Sequence, residues 1–293
     1  MSRNEGRFNA PNDLVFDEPP SGAQVINEQE APTTHPTDVF GMPMPTYFVE
    51  LPSRGDLYEK DSPLFGKETL EIKYMTAKEE DILTDSTLLA KGIAIDRVLD
   101  NLILDKNINS SNLISSDKAA LLVGARITGF GKDYNPTFSC PKCGSENQLN
   151  YDLEKMKAQE DVERPNDITR TGQTTFQVTL PLTKLAVGFK ILNSGEESAL
   201  ARETERKIKK NIECSPTSDM LNAMITDING ETDRFKIAQF IGTVTSRDSR
   251  HILASADSIV PSFELNTEFE CQSCTHTSVV EAPLTAEFFR PNT

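Results

Sequence analysis

Phe138-Ser-Cys140-Pro-Lys-Cys143-Gly144 and Phe269-Glu-Cys271-Gln-Ser-Cys274-Thr275 share one local pattern, an aromatic residue two positions before a Cys-x-x-Cys pair. Each is followed by a strand-like return, Gln148–Leu153 after the first and Ser278–Leu284 after the second. A Cys-x-x-Cys turn between two strands aims both thiolates at one point. Two such turns complete the closed tetrahedral shell of four sulfurs that structural zinc prefers. Gly144 suits the tight backbone of the first turn. The expected ligands are therefore Cys140, Cys143, Cys271 and Cys274, and the expected cofactor is one structural Zn2+. A redox pair is the main rival reading, but neither motif opens a helix after a strand as a thioredoxin-like site requires. Four buried free thiols are the remaining alternative. His276 is close enough in sequence to replace a sulfur, though a bystander role fits better; Cys214 has no partner in the pattern.

The pairs are far apart: Cys143 and Cys271 are separated by 128 positions. An isolated zinc ribbon needs only tens of residues, so this ribbon is split by a long insertion. Closing such a loop carries an entropic cost that metal binding can offset, apparent values being roughly 10–16 kcal/mol in small zinc-finger peptides. A closed shell leaves no open position for catalysis, which makes the expected metal a staple.

Outward from the cysteines, the pattern mixes short strands and helices without regular βαβ alternation and predicts an α+β fold of short antiparallel strands around the split ribbon. Residues 1–45 hold Pro11, Pro19-Pro20, Pro32, Pro36, Pro43 and Pro45 among polar residues, with apolar side chains scattered aperiodically. Such a segment buries too little to offset its ordering entropy and is expected to be extended or disordered, a frayed tail or an arm that orders against a neighbouring subunit. Residues 46–153 form an expected α+β part carrying the first pair, 154–265 an inserted α+β part, and 266–293 the second pair with a C-terminal tail. Strands are read at Tyr47–Leu51, Glu68–Met75, Thr174–Leu180 and Leu185–Leu192, the last two as hairpin partners. Helices are read over 93–104, from Ser116 to Phe130, and over 196–212, 232–243 and 247–257. Capping boxes are read at Thr76-x-x-Glu79 and Ser194-x-x-Glu197, and Ser246 as the cap of the last helix. Leu221–Ile228 fits a short strand or a helix. Ser53-Arg-Gly-Asp56 is read as a turn rather than an adhesion motif.

Composition narrows the function. Charged residues make up 26% of the chain and no apolar run approaches the roughly 20 residues of a spanning helix, so a soluble protein with no membrane partner is expected. The N-terminal residues lack the apolar core of a secretory signal, which points to a reducing compartment. The net charge is −15, and the one dense basic stretch, Arg202–Lys210, is interleaved with Glu203 and Glu205. Nucleic acid is accordingly not an expected partner. No Walker loop, dinucleotide fingerprint, His-Glu-x-x-His or nucleophile elbow occurs. Asp248-Ser-Arg-His251 brings three suggestive residue types together, but helix capping and surface hydrogen bonding explain them better than catalysis. No catalytic residue is expected, and the chain is read as a non-enzyme.

The ordered series of motifs resembles the baseplate hub assembly proteins of T-even-type contractile-tailed bacteriophages. It runs from Leu51-Pro-Ser-x-Gly-x-Leu-Tyr58 and Ile72-Lys-x-Met-Thr-x-x-Glu-Glu80 through the first cysteine pair. Phe189-Lys-Ile-Leu192, Ile228-Asn-Gly230, Ile237-x-x-Phe-Ile241 and Arg247-Asp-Ser-Arg250 continue it, followed by Pro261, the second pair and Phe288-Phe-Arg-Pro291. Thr275 stands where the resemblance leads one to expect Gly, and Arg290 where it leads one to expect an aromatic. The resemblance implies a role in building the tail baseplate through contacts with other baseplate or tail proteins, first in the host cytoplasm and then in the virion tail. A zinc-ribbon adaptor of nucleic-acid or transcription complexes is the alternative, disfavoured by the acidic charge.

Overall fold

In the computed structural model, which describes residues 40–155, 167–261, 263, 266–281 and 286–289, β1 (Thr46–Glu50) pairs antiparallel with β2 (Thr69–Lys73). The pairing places Val49 opposite Leu70 and Tyr47 opposite Ile72; Val49, Leu70 and Ile72 are buried, as strict alternation requires when one face is covered. Three helices follow: α1 (Ala77–Thr84), α2 (Ser86–Ala90) and α3 (Ala94–Leu102), the last burying Val98, Leu99 and Leu102. The long helix α4 (Ser115–Phe130) then packs on β1. A Cβ at Gly124 would stand 2.5 Å from Val49 Cγ2, so this mid-helix glycine is what lets the strand approach. Its propensity cost is about 1 kcal/mol relative to Ala.

Two buried carboxylates tie loops to these elements. Glu79 Oε2 accepts from the Thr76 amide at 3.0 Å while Oε1 meets Lys73 Nζ at 3.1 Å, the arrangement expected of the Thr76-x-x-Glu79 cap. Asp117, in the first turn of α4, accepts from the Ser53 amide at 2.9 Å, the Ser53 hydroxyl at 2.5 Å and the Tyr58 hydroxyl at 2.6 Å. The Arg-Gly-Asp triplet thus lies in a turn clamped at Ser53, and Asp56 is engaged by Arg170 at 2.9 Å. The turn reading holds.

After α4 come four short strands, β3 (Asp133–Tyr134), β4 (Thr137–Ser139), β5 (Glu146–Gln148) and β6 (Tyr151–Asp152), with β3 paired to β6 around the β4–β5 hairpin. Beyond residues 156–166 lies a four-stranded antiparallel sheet in the order β10-β9-β8-β7. It comprises β7 (Ile168–Arg170), β8 (Thr175–Thr179), β9 (Ala186–Lys190) and β10 (Ile225–Ile228). The expected hairpin partnership of β8 with β9 is present, Phe176 opposite Phe189 and Val178 opposite Val187. Helices α5 (Ser194–Lys209) and α6 (Pro216–Met224) lie between β9 and β10, and α7 (Arg234–Ile241) and α8 (Ser246–Asp257) follow. Leu180, Val187, Leu221, Ile225, Ile237 and Ile252 form a core of their own here, beside the larger core built on β1, β2, α3 and α4. The hairpin β11 (Asn266–Glu270)–β12 (Thr277–Glu281) and a short 3-10 turn, Ala286–Phe289, complete the order. The fold is α+β with short antiparallel strands. The described residues from Met44 onward fall in one unit. Residues 1–39 of the arm expected over 1–45, most of the polar linker, and Arg290-Pro291 lie outside the described residues.

Three local readings shift. The cap of α5 is Asn193, whose side chain accepts from the Glu196 amide at 2.9 Å while Glu196 accepts from the Asn193 amide at 3.1 Å. Ser194 is instead buried, its amide donating to Leu113 O at 2.7 Å, so that tertiary contact draws it inside the helix. Helix α8 is capped by Thr245, which accepts from the Asp248 amide at 3.2 Å. Leu221–Ile228 is the end of a helix running directly into β10, which a window of eight residues cannot divide.

Asp248 is also no surface group. Its carboxylate is fully buried and accepts from the Leu182 and Thr183 amides at 2.9 and 3.2 Å, fixing the turn between β8 and β9 onto α8. Burial works to raise its pKa, but those two backbone donors, joined by the Thr183 and Thr245 side chains, outweigh it and hold the group below the usual carboxylate value. Its stabilising contribution is therefore complete above the unfolded pKa, about 4, and is lost as pH falls through the lower folded value. Asp248→Ala should cost about 2 kcal/mol at neutral pH. Urea melts at pH 7 and pH 3 check both points, since the deficit of the variant should shrink at the acid end.

Candidate metal centre

The two cysteine motifs are the tips of two hairpins. In β4–β5 the register sets Phe138 opposite Asn147 and Ser139 opposite Glu146, leaving Cys140–Cys143 in the connecting turn. In β11–β12 it sets Phe269 opposite Ser278 and Glu270 opposite Thr277, leaving Cys271–Cys274 in the turn. Both turns close with the same backbone bonds. Gly144 N donates to Cys140 O at 2.8 Å and Thr275 N to Cys271 O at 2.9 Å. Cys140 N donates to Ser145 O and Cys271 N to His276 O, each at 2.9 Å.

The residue after each second cysteine turns left-handed, Gly144 at φ +72° and Thr275 at φ +52°. Glycine takes this conformation freely, whereas a β-branched residue is strained there. Thr275 accordingly holds a position whose backbone asks for glycine.

The four sulfurs converge. Each lies within 4.8 Å of every other, with Cys140 Sγ 3.7 Å from Cys274 Sγ and Cys143 Sγ 3.6 Å from Cys271 Sγ. These two distances are far too long for disulfides, and all four cysteines are free. A tetrahedron with metal–sulfur bonds of about 2.3 Å has edges of about 3.8 Å, so the donor set fits such an ion. Cys140 and Cys271 are buried, Cys274 is half-buried and Cys143 is exposed. The hairpins also pack directly: Phe138 meets Phe269 edge-on at 5.2 Å, which explains why each motif carries an aromatic two places ahead. Tyr151 donates to Val280 O at 3.2 Å.

Crowded thiols cannot all ionise unaided. The hydroxyl of Ser145 holds the Cys271 thiol down to about 5, and Ser145 also lowers Cys143. Cys274 is pushed up to about 12: the His276 backbone bond acts downward, but burial and the neighbouring thiols Cys143, Cys271 and Cys140 override it. A divalent cation would remove that conflict by drawing every sulfur to the thiolate form. The four cysteines can thus hold a metal ion.

The other residues singled out in the sequence do not join them. His276 contributes only its backbone to the second turn, and Cys214 stands apart with Sγ 3.5 Å from Ile212 O. Asp248, Ser249 and His251 are engaged separately: Ser249 Oγ donates to Ser246 O at 3.1 Å and His251 Nε2 lies 3.2 Å from Asp167 Oδ2. Ser145 and Asn147, by contrast, escaped the sequence reading and touch the sulfurs directly. The readable signal was their place just beyond the first pair, Ser145 at the end of the turn and Asn147 on the returning strand β5.

An α+β body in which two hairpins bring four cysteines together is the class that fold and site define. The chain belongs to the T4 bacteriophage base plate protein family, whose model matches residues 44–290. No curated protein and no solved structure matches it. Membership implies association with other tail proteins. Among the described residues, no helix is long and apolar enough to cross a membrane.

Thr275→Gly should raise stability by about 1 kcal/mol by relieving the left-handed strain, and Gly144→Thr should lower it by a similar amount or more. Paired thermal melts of the two variants read this, and equal shifts of the same sign would contradict the assignment of strain.

Proposed function

We propose that this chain is a non-enzymatic structural or assembly component of the phage baseplate hub, its body closed by one structural zinc on Cys140, Cys143, Cys271 and Cys274. The carrying observation is a baseplate-family match that spans both cysteine hairpins, together with sulfur spacings that suit a tetrahedral ion. Zinc suits the donor set because four thiolates are soft, charged ligands and a closed S4 shell has no position left for substrate. When bound, the ion supplies a cross-link between segments far apart in the chain, with residues 154–265 as the insertion it closes.

The working surface is one of protein contacts. With a net charge of −15, nucleic acid is a poor partner, and the proline-rich residues 1–45 are offered as the arm that engages a neighbouring tail subunit. The protein then acts in the host cytoplasm during assembly and resides in the tail baseplate of the virion. Mass spectrometry of purified tails tests that placement, and tails without the chain would overturn it.

Cys140→Ser and Cys271→Ser should each abolish stoichiometric zinc by elemental analysis and lower the thermal midpoint sharply. A wild-type chain that folds normally without metal would refute the zinc assignment. Deleting residues 1–40 should leave the melting transition of the remaining body unchanged while reducing incorporation into baseplates, scored by co-purification with tail particles.

A further inference from the structure

The Cys143–Cys271 edge of the sulfur cluster is covered by hydrogen-bond donors. Ser145 Oγ sits 3.1 Å from Cys143 Sγ and 3.2 Å from Cys271 Sγ, straddling the edge. Behind it lies the buried Asn147, reaching both hairpins. Its Nδ2 donates to Ser145 O at 2.9 Å and lies 3.4 Å from Ser145 Oγ and 3.8 Å from Cys271 Sγ, while its Oδ1 accepts from the Gln272 amide at 3.1 Å. One side-chain amide therefore joins the strand after the first cysteine pair to the turn of the second. By occupying a lone pair of Ser145 Oγ, Asn147 also turns the hydroxyl proton toward the sulfurs. No side-chain donor to the Cys140–Cys274 edge occurs among the described residues.

Resting on the zinc reading above, we infer that Asn147, acting through Ser145, is the positioning residue of the centre. It aligns Cys271 against Cys143 across the split in the chain and supplies donors that offset the negative charge of the thiolates. Four thiolates around a divalent cation carry a net charge of −2, and each N–H or O–H aimed at a sulfur stabilises that state. The amide also latches the hairpins independently of metal, so two of the four ligands are held in register before an ion arrives. Outer-shell groups of this kind typically alter metal affinity by about 10–100-fold.

The test compares the full-length wild-type chain with Asn147→Ala, Ser145→Ala and Phe138→Leu. The last weakens the packing between the same hairpins without touching a sulfur. Zinc affinity is read by competition with a chromophoric chelator, and the sulfur environment by the charge-transfer band of the Co2+-substituted protein. Asn147→Ala should bind zinc about 10–100-fold more weakly. Ser145→Ala should move the charge-transfer band to lower energy, because a sulfur that loses a donor holds its lone pairs less tightly. Phe138→Leu should lower the thermal midpoint and leave the band in place. If Asn147→Ala does not fold, Ser145→Ala alone decides through the band position. Wild-type zinc affinity in Asn147→Ala and an unshifted Co2+ band in Ser145→Ala, with the wild-type chain binding zinc, would overturn this inference and spare the zinc reading. A wild-type chain that takes up no zinc overturns both.

Discussion

Convergence of two hairpin tips that lie far apart in the chain is the constraint on which the rest depends. Cys143 and Cys271 are 128 positions apart, and chain-entropy arguments set the cost of closing a loop of that order at about 5 kcal/mol. The aromatic pair Phe138–Phe269, the Asn147 amide and the Tyr151–Val280 bond all act across that junction. Cys140 and Cys271 belong to the same buried cluster as Leu99, Leu121 and Phe176. The centre is thus the outer edge of the main core, and losing alignment there loosens packing well beyond the sulfurs.

The region between the hairpins is secured differently. Its antiparallel sheet is covered by helices through Leu180, Val187, Ile225, Ile237 and Ile252, and the turn of its central hairpin is fixed by the buried Asp248. A carboxylate that accepts two backbone amides restrains the turn, where a merely apolar contact would allow sliding. Asp117 does the same at the start of α4, gathering Ser53 and Tyr58. Loops in this protein are held by buried acids, strands by apolar pairing.

A third device sits near the C-terminal 3-10 turn. Arg126 on α4 is almost wholly buried, and its guanidinium lies 4.8 Å from the Phe130 ring, 5.6 Å from Tyr134 and 6.0 Å from Phe288. Its Nε and Nη1 meet no hydrogen-bond acceptor among the described residues, where the ring faces offset its desolvation. Tyr134 and Phe288 also meet edge-on at 4.9 Å, which joins β3 to the last described segment of the chain.

Sequence alone determined the things that depend on near neighbours. Alternation in Glu68–Met75 and Thr174–Leu180 gave strands because side chains alternate faces, and Thr76-x-x-Glu79 gave a cap because its groups lie within one turn. The twin Phe-x-Cys-x-x-Cys motifs gave the candidate ligands by the same locality. Tertiary structure decided the rest. It chose Asn193 over Ser194 as a cap by burying the serine against Leu113, and it took Asp248 from an expected surface cap into a buried lock on Leu182 and Thr183. It placed Ser145 and Asn147 against sulfurs whose partners lie more than a hundred positions away. Periodicity and capping are short-range regularities written into consecutive residues. Which polar group is buried, and what it then must bond, is fixed only when distant segments meet.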